Sequence, residues 1–288
     1  MRGGNEMIRL APEQFPSALR EINDPPEALY LEGTLPAENY TYLTVVGSRR
    51  YSRYGQDASE KLIAGLTGYP IAVVSGLAIG LDTIAHHAAL AAGLPTIAVP
   101  GSGLDRAVLH PPSNRRLADQ IIEAGGALLS ELEPREPAGV HTFPRRNRLM
   151  AGLAKAVLVI EAGAKSGTLI TARLALEYNR DVLAIPGSIF APTAFGTNQL
   201  IRQGAGAITN SEELLEALGF TPETTTRPAM ELSPVEEKVI EFLTIEPRSR
   251  DELIKQLSLP PAEANSLLAL LEIKGLIKES LGEIYLSA

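Results

Sequence analysis

The sequence predicts an α/β protein with a mostly parallel sheet covered on both faces, followed by a small C-terminal winged helix. Three observations carry this reading. From Thr41 to about residue 218, short runs rich in Val, Ile and Ala alternate with Ala- and Leu-rich helical stretches, the pattern of strand–helix–strand units. The strand candidates are almost continuously apolar, as burial on both faces requires. Beyond a Thr- and Pro-rich stretch, three helical segments and a terminal hairpin pattern close the chain, the outline of a winged helix.

Taken in order, residues 1–39 are Pro- and Glu-rich, with apolar contacts from Phe15–Leu19 and Ala28–Leu31. They read as an N-terminal lead-in segment that packs on the next domain. That main domain spans 40–218. Its strands are expected at Tyr42–Val46, Ile71–Val74, Thr96–Val99, Ala127–Leu129, Ala156–Ile160, Val182–Ile185 and Ala207–Ile208. Helical periodicity fills Gln56–Leu66, Asp82–Ala92, Pro112–Ala124, Asn147–Ala154, Leu169–Tyr178, Asn198–Gln203 and Ser211–Leu218. Residues 219–230, with three consecutive Thr and two Pro, read as a linker. In the final domain, 231–288, Ser233 and Ser249 each precede a Glu by three residues, the spacing of a capping box. A third helix near Ala262–Lys274 ends at Gly275, and Leu276–Ser280 and Glu283–Ser287 flank a hairpin turn.

Composition excludes several function classes. The 288 residues carry a net charge of −8 and a pI near 5.2, which argues against a general basic coat and against attraction to anionic membranes. Any anion must be held by local placement. With no cysteine, disulfides, thiolate catalysis and Cys-ligated zinc are out, and a reducing compartment is expected. The N-terminus lacks a signal-peptide core and no apolar run reaches membrane-spanning length, so a cytoplasmic protein is expected. The four histidines show no metal-ligand spacing, and no G-x-S-x-G elbow is present.

The richest stretch is His141–Met150, H-T-F-P-R-R-N-R-L-M. Pro144 biases Phe143 away from helical geometry, which predicts an extended loop running into a helix at Asn147. An arginine run is commonly a solvated face. Phe143 and Asn147 in the same run favour instead a nucleic-acid backbone held by Arg145, Arg146 and Arg148, with a base stacked on the ring. His141 opens the same loop.

Gly/Ser/Thr turns come after several strands. Gly47-Ser48-Arg49 ends the first strand, where backbone N–H groups and a guanidinium suit a phosphate. Ser75-Gly76 and Gly80 form a second turn, whose glycines let a backbone approach a phosphate closely. Asp82 and His86 beyond it share a helix face, as a helix cap or as a proton-transfer pair. Gly101-Ser102-Gly103 lacks the last glycine of a dinucleotide fingerprint. Ser166-Gly167-Thr168 offers an anion nest at a helix start, without the Gly-Lys-Ser/Thr order of an ATPase loop. Ends of parallel strands share one sheet edge, so these turns and the arginine loop are expected to form one groove, suited to an extended polyanion.

The motifs S-G-L-A-I-G-L-D-T-I-A-H-H-A-A-L (75–90), F-P-R-R-N-R-L-M-A-G-L (143–153), E-A-G-A-K-S-G-T-L-I-T-A (161–172), I-P-G-S (185–188) and G-T-N-Q-L-I-R-Q-G-A (196–205) resemble the DNA-processing protein family DprA, also called Smf. The resemblance runs from Phe15 to Leu218. It implies an extended Rossmann-like, doubly wound domain that binds and protects single-stranded DNA, works as a homodimer and loads the RecA recombinase in natural transformation. It implies DNA contacts at Gly47, Ser48, Arg49, Phe143, Arg146, Asn147, Arg148, Ser166, Gly167 and Thr168, with Thr171 and Asn198 as neighbours. No cofactor, metal or catalytic residue is implied.

The chain departs from the family pattern in three places. Residues 1–39 are too short for the N-terminal helical module of many members. His110 stands where Tyr is common, and the loop before His141 is acidic. The C-terminal unit resembles the family's winged helix, yet eleven Asp/Glu against six Lys/Arg leave it at −5. A protein-contact or regulatory role is expected for it, since DNA affinity rests largely on phosphate neutralisation. Two alternatives remain. Related nucleoside-monophosphate glycosidases use a P-G-G-x-G-T-x-x-E motif; aligning Gly167-Thr168 with its G-T puts Thr171 where the glutamate belongs. A sensor of a small nucleotide would use the same turns.

Overall fold

The computed structural model describes residues 7–222, 233–257, 259–280 and 282–286. The main unit runs β1 (Ile8–Leu10), α1 (Ser17–Arg20), β2 (Leu29–Gly33), β3 (Thr41–Val46), α2 (Arg53–Ala64), β4 (Ile71–Ser75), α3 (Leu81–Ala91), β5 (Thr96–Ala98), α4 (Arg115–Glu123), β6 (Ala127–Ser130), α5 (Thr142–Leu153), β7 (Ala156–Val159), α6 (Thr168–Glu177), β8 (Asp181–Ala184), α7 (Phe195–Arg202), β9 (Gly206–Ala207) and α8 (Ser211–Ala217). The strands form one sheet in the order β1-β2-β6-β5-β4-β3-β7-β8-β9. From β6 to β9 every neighbouring pair is parallel. The chain winds outward from β3 through β4 and β5 to β6, then returns to wind outward through β7 and β8 to the β9 edge. β3 and β7 therefore flank the switch point, where open α/β sheets leave a crevice beyond their carboxyl ends.

Alternation along β3 explains the two covered faces. Leu43 and Val45 pack with Leu62 of α2, Leu81 of α3 and Leu214 of α8. Val46 points to the other face, with Leu149 and Leu153 of α5 and Ala172 of α6. Thr44 is buried there too, and its hydroxyl donates to the Met150 carbonyl at 2.7 Å, tying α5 to the central strand.

Two elements differ from expectation. The lead-in does more than pack: β2 pairs antiparallel with β6, and β1 with β2, so residues 8–33 extend the sheet. Such short, Pro-flanked strands carry too few alternations to register as a pattern. Phe15, Leu19 and Ile22 add to the α5 side of the core. Second, α5 begins at Thr142, five residues before the expected start. Pro144 falls in its first turn, where backbone N–H groups have no intrahelical acceptor, so proline costs nothing there.

The remaining chain forms a separate compact unit, Glu223–Ala288. It contains α9 (Pro234–Ile245), β10 (Arg248–Ser249), α10 (Arg250–Leu257), α11 (Pro261–Ile273), β11 (Ile277–Ser280) and β12 (Glu283–Leu286). Its sheet order is β10-β12-β11, around Val239, Leu253, Leu268 and Ile284. Both capping boxes form: the Ser233 N–H reaches the Glu236 carboxylate at 2.8 Å, and the Ser249 N–H reaches Glu252 at 3.0 Å. Three helices with a terminal hairpin make a winged helix. Most of the linker expected at 219–230, together with Leu281 in the hairpin turn and Ser287 at its end, lies outside the described residues.

Candidate functional site

A cleft of about 550 Å³ opens at the carboxyl edge between β3 and β7. One wall is the turn after β3, Gly47 to Arg50; another is α5, through Phe143, Arg146 and Asn147; the third is the start of α6, through Ser166, Gly167, Thr168 and Thr171. The three segments expected to share a surface thus line one cavity.

Local chemistry holds each wall. A Cβ on Gly47 would lie 2.3 Å from Leu81, so only glycine lets this turn sit against α3. The Ser48 hydroxyl accepts the Arg50 N–H at 3.0 Å, closing the turn. Arg49 then lies over the Phe143 ring, 5.4 Å from its centroid, and His110 meets the same ring edge-on at 5.8 Å. At α6, the Thr168 hydroxyl donates to the Gly47 carbonyl at 3.2 Å, joining two walls. Gly167 is exposed with open space beside it. The first-turn N–H groups of α6 give this end of the cleft a partial positive charge.

Arg146 departs from its expected role. It is 6% exposed, and its guanidinium donates to the carbonyls of Gly76 and Val99 and, at 3.1 Å, to Asn147 Oδ1. Burial pushes its pKa down while the neighbouring Asp82 carboxylate pulls it up; Asp82 is pushed up by burial and held down by Arg146. Arg146 is a brace across β4, β5 and α5, with its edge on the cleft. A Cβ on Gly76 would lie 1.9 Å from Arg146 Nη1, so that glycine makes room for the guanidinium. Gly80, at φ +90, likewise leaves room for the Ser48 carbonyl.

Arg148 and Arg145 are not in the cleft. Three apart on α5, they share a different face. There Arg148 pairs with Glu131 and Asp24, and Arg145 lies 3.5 Å from Glu131. Glu131 is buried, which pushes its pKa up against the pull of the two arginines. An extended loop would have placed these side chains differently; the helix starting at Thr142 separates them. His141 is exposed just before α5 and does not line the cleft. Ser75 is buried and donates to the Val45 carbonyl at 2.7 Å. Asn198 clamps both backbone groups of Gly187, at 3.2 and 3.0 Å, away from this cleft.

Asp82 and His86 form no proton-transfer pair. His86 is fully buried, its Nδ1 lies 2.8 Å from Thr96 Oγ1, and desolvation lowers its pKa to about 3. Asp82 is no helix cap either; it accepts from the Ala78 N–H in the turn before its own helix, at 3.4 Å. Sequence reasoning missed Arg50, which lines the cleft, and Thr142, whose hydroxyl donates to the Gly101 carbonyl at 2.6 Å and anchors the start of α5. Thr142 with Pro144 inside one turn was the available sign of a helix start. Among the described residues no cluster of His, Asp and Glu is placed to hold a metal, and no helix is long and apolar enough to cross a membrane.

A doubly wound sheet with a cleft at its switch point, joined to a winged helix, defines a two-domain Rossmann-like protein. Residues 6–219 match the family of DNA recombination-mediator protein A, and residues 223–282 match the DprA winged helix domain. The chain belongs to the DprA family of DNA-processing proteins. It is 44% identical over 216 residues to protein Smf of Escherichia coli, covering 75% of this chain and 57% of that protein. It is also 44% identical to DNA processing protein DprA of Streptococcus pneumoniae, over 72% of each chain. The X-ray structure of DprA from S. pneumoniae superposes with a TM-score of 0.68 at 41% identity, covering 74% of this chain and 75% of the other. DNA processing protein A from Helicobacter pylori, for which a single-stranded DNA binding mode is described, gives 0.67 at 30% identity, covering 76% and 98%.

Proposed function

We propose that this chain binds single-stranded DNA in the cleft at its switch point, without chemistry on the strand, and passes it to a RecA-type recombinase. The observation that carries the reading is the cleft itself. One cavity combines the positive end of the α6 helix, the cations Arg49 and Arg50, and an aromatic ring at Phe143. Phosphates suit the first two and a base suits the third. Arg49 now occupies one face of that ring; an incoming base takes its place, and the guanidinium turns to a phosphate. Duplex DNA binds more weakly, because its bases are not free to stack.

Thr171 stands where the related glycosidases carry their glutamate, which supports a binding protein over an enzyme. Protection of the strand, work in the cytoplasm and assembly as a homodimer come with the family reading. Exposed Ile189, Phe190 and Phe195 offer an apolar surface for the dimer. The test is a gel shift with single-stranded and duplex oligonucleotides at two salt concentrations, beside a titration with mononucleotides. Preference for the single strand and a steep loss with salt are expected. Tight binding of mononucleotides alone would replace this reading with a nucleotide sensor.

A further inference from the structure

A second cavity, of about 560 Å³, opens on the same sheet edge over the carboxyl ends of β7 and β8. Its volume is that of a ligand pocket. Its apolar walls are Ile160, Ile185 and Pro186, the Tyr54 ring and the small side chains Ala191 and Ala194; Ser52, Ser188 and Thr197 add hydroxyls. The Tyr54 hydroxyl donates to the Pro186 carbonyl at 2.8 Å, so the ring is fixed and forms a flat side. No lysine or arginine lines this cavity. Its one charge is the buried Glu161 carboxylate, which repels phosphate and accepts N–H groups.

Glu161 takes three hydrogen bonds: the Ser52 N–H on Oε2 at 2.8 Å, and the hydroxyls of Ser52 and Thr193 on Oε1 at 2.6 and 2.8 Å. A carboxylate has about four acceptor positions, so Oε2 retains capacity for one more donor. A flat aromatic side, apolar walls, one buried carboxylate, the hydroxyls of Ser188 and Thr197 and no cation for a phosphate suit a neutral planar ring that bears an N–H. Every nucleobase offers one on its pairing or groove edge, or on an exocyclic amino group. Continuity supplies the source. Arg50 lines the first cleft and Ser52, two residues on, lines the second cavity. The two open side by side along the segment 50–54.

We infer that the second cavity receives one nucleobase, with its sugar, from the same strand whose phosphates occupy the first cleft. This rests on the proposed single-strand binding. It makes the footprint longer than one cleft and places a discrete base position beyond the Phe143 stack.

The experiment uses the full chain and fluorescent oligo-dT carrying a single abasic site moved along the strand. In the unsubstituted protein, two separate abasic positions are expected to weaken binding, one for Phe143 and one for the second cavity, each by roughly tenfold. Ala191→Trp fills the second cavity and is expected to weaken binding by a similar factor and to erase the second abasic position while retaining the first. Tyr54→Ala is expected to act likewise and covers the case in which tryptophan perturbs the loop. Sedimentation checks that neither variant changes the oligomeric state, since Ile189 and Phe190 lie in that loop. Wild-type affinity and an unaltered abasic profile in both variants overturn the inference. So does saturable binding of free nucleosides in this cavity without competition by the oligonucleotide. If the unsubstituted protein binds no oligo-dT, the first-cleft reading itself has failed, an outcome distinct from loss of the second abasic position alone.

Discussion

Arg49 and Arg146 differ in what surrounds them, and their substitutions should separate binding from folding. Arg49 is exposed, lies over the Phe143 ring, and its charge reaches Asp82. Arg49→Ala should weaken oligo-dT binding about tenfold, the range of one charge-assisted contact, with an unchanged melting temperature; fluorescence anisotropy and calorimetry read the two effects. Arg146→Ala removes the cation beside buried Asp82 and leaves the Gly76 and Val99 carbonyls without a donor. Breaking such a buried pair costs about 3–5 kcal/mol, so denaturant unfolding should show a large loss before any DNA is added. His86 gives a pH signature. The unfolded chain takes up a proton there near pH 6.5, while the folded chain does not until about pH 3. Acid therefore favours unfolding through that window, by about 2 kcal/mol at pH 5 for this group. Urea midpoints at pH 7 and pH 5, for wild type and His86→Gln, check it: the variant should lose less on acidification.

The α5 helix shows where sequence reading succeeds and where it stops. Strands β3 to β8 are legible because they are almost uninterrupted apolar runs, as burial on both faces requires. The start of α5 is not, because a proline disfavours helix at the residue before it yet is tolerated in a helix's first turn, so Phe143-Pro144 fits either a loop or a helix start. The difference decides the site. Read as a loop, Arg145, Arg146 and Arg148 looked equivalent; as a helix, spacing sends 143, 146, 147 and 150 to one side and 145 and 148 to another. The burial of Arg146 was illegible for a further reason. Its partners come from the ends of β4 and β5 and the start of α3, which no local pattern brings together. Gly76→Ala tests that packing: the added methyl collides with the guanidinium, and both stability and oligo-dT affinity should fall, by calorimetry and anisotropy.

At the scale of the whole molecule, the acidic winged helix is the part least suited to DNA. Deleting 231–288 removes five net negative charges, and the remaining domain has its own sheet and core. Single-strand affinity of that fragment should match the full chain within about twofold, since phosphate neutralisation sets non-specific affinity; a larger loss would assign the winged helix a direct role. The strand order also governs how the polypeptide is assembled as it leaves the ribosome. β3 emerges early and gains β4 soon after, yet its other neighbour, β7, is Ala156–Val159. Until that stretch has been translated, one flank of the central strand stands bare, and β2 waits in the same way for β6. Ribosome-bound chains halted before residue 156 should therefore be protease-sensitive and attract chaperones, and resistance should appear only once β7 has cleared the exit tunnel.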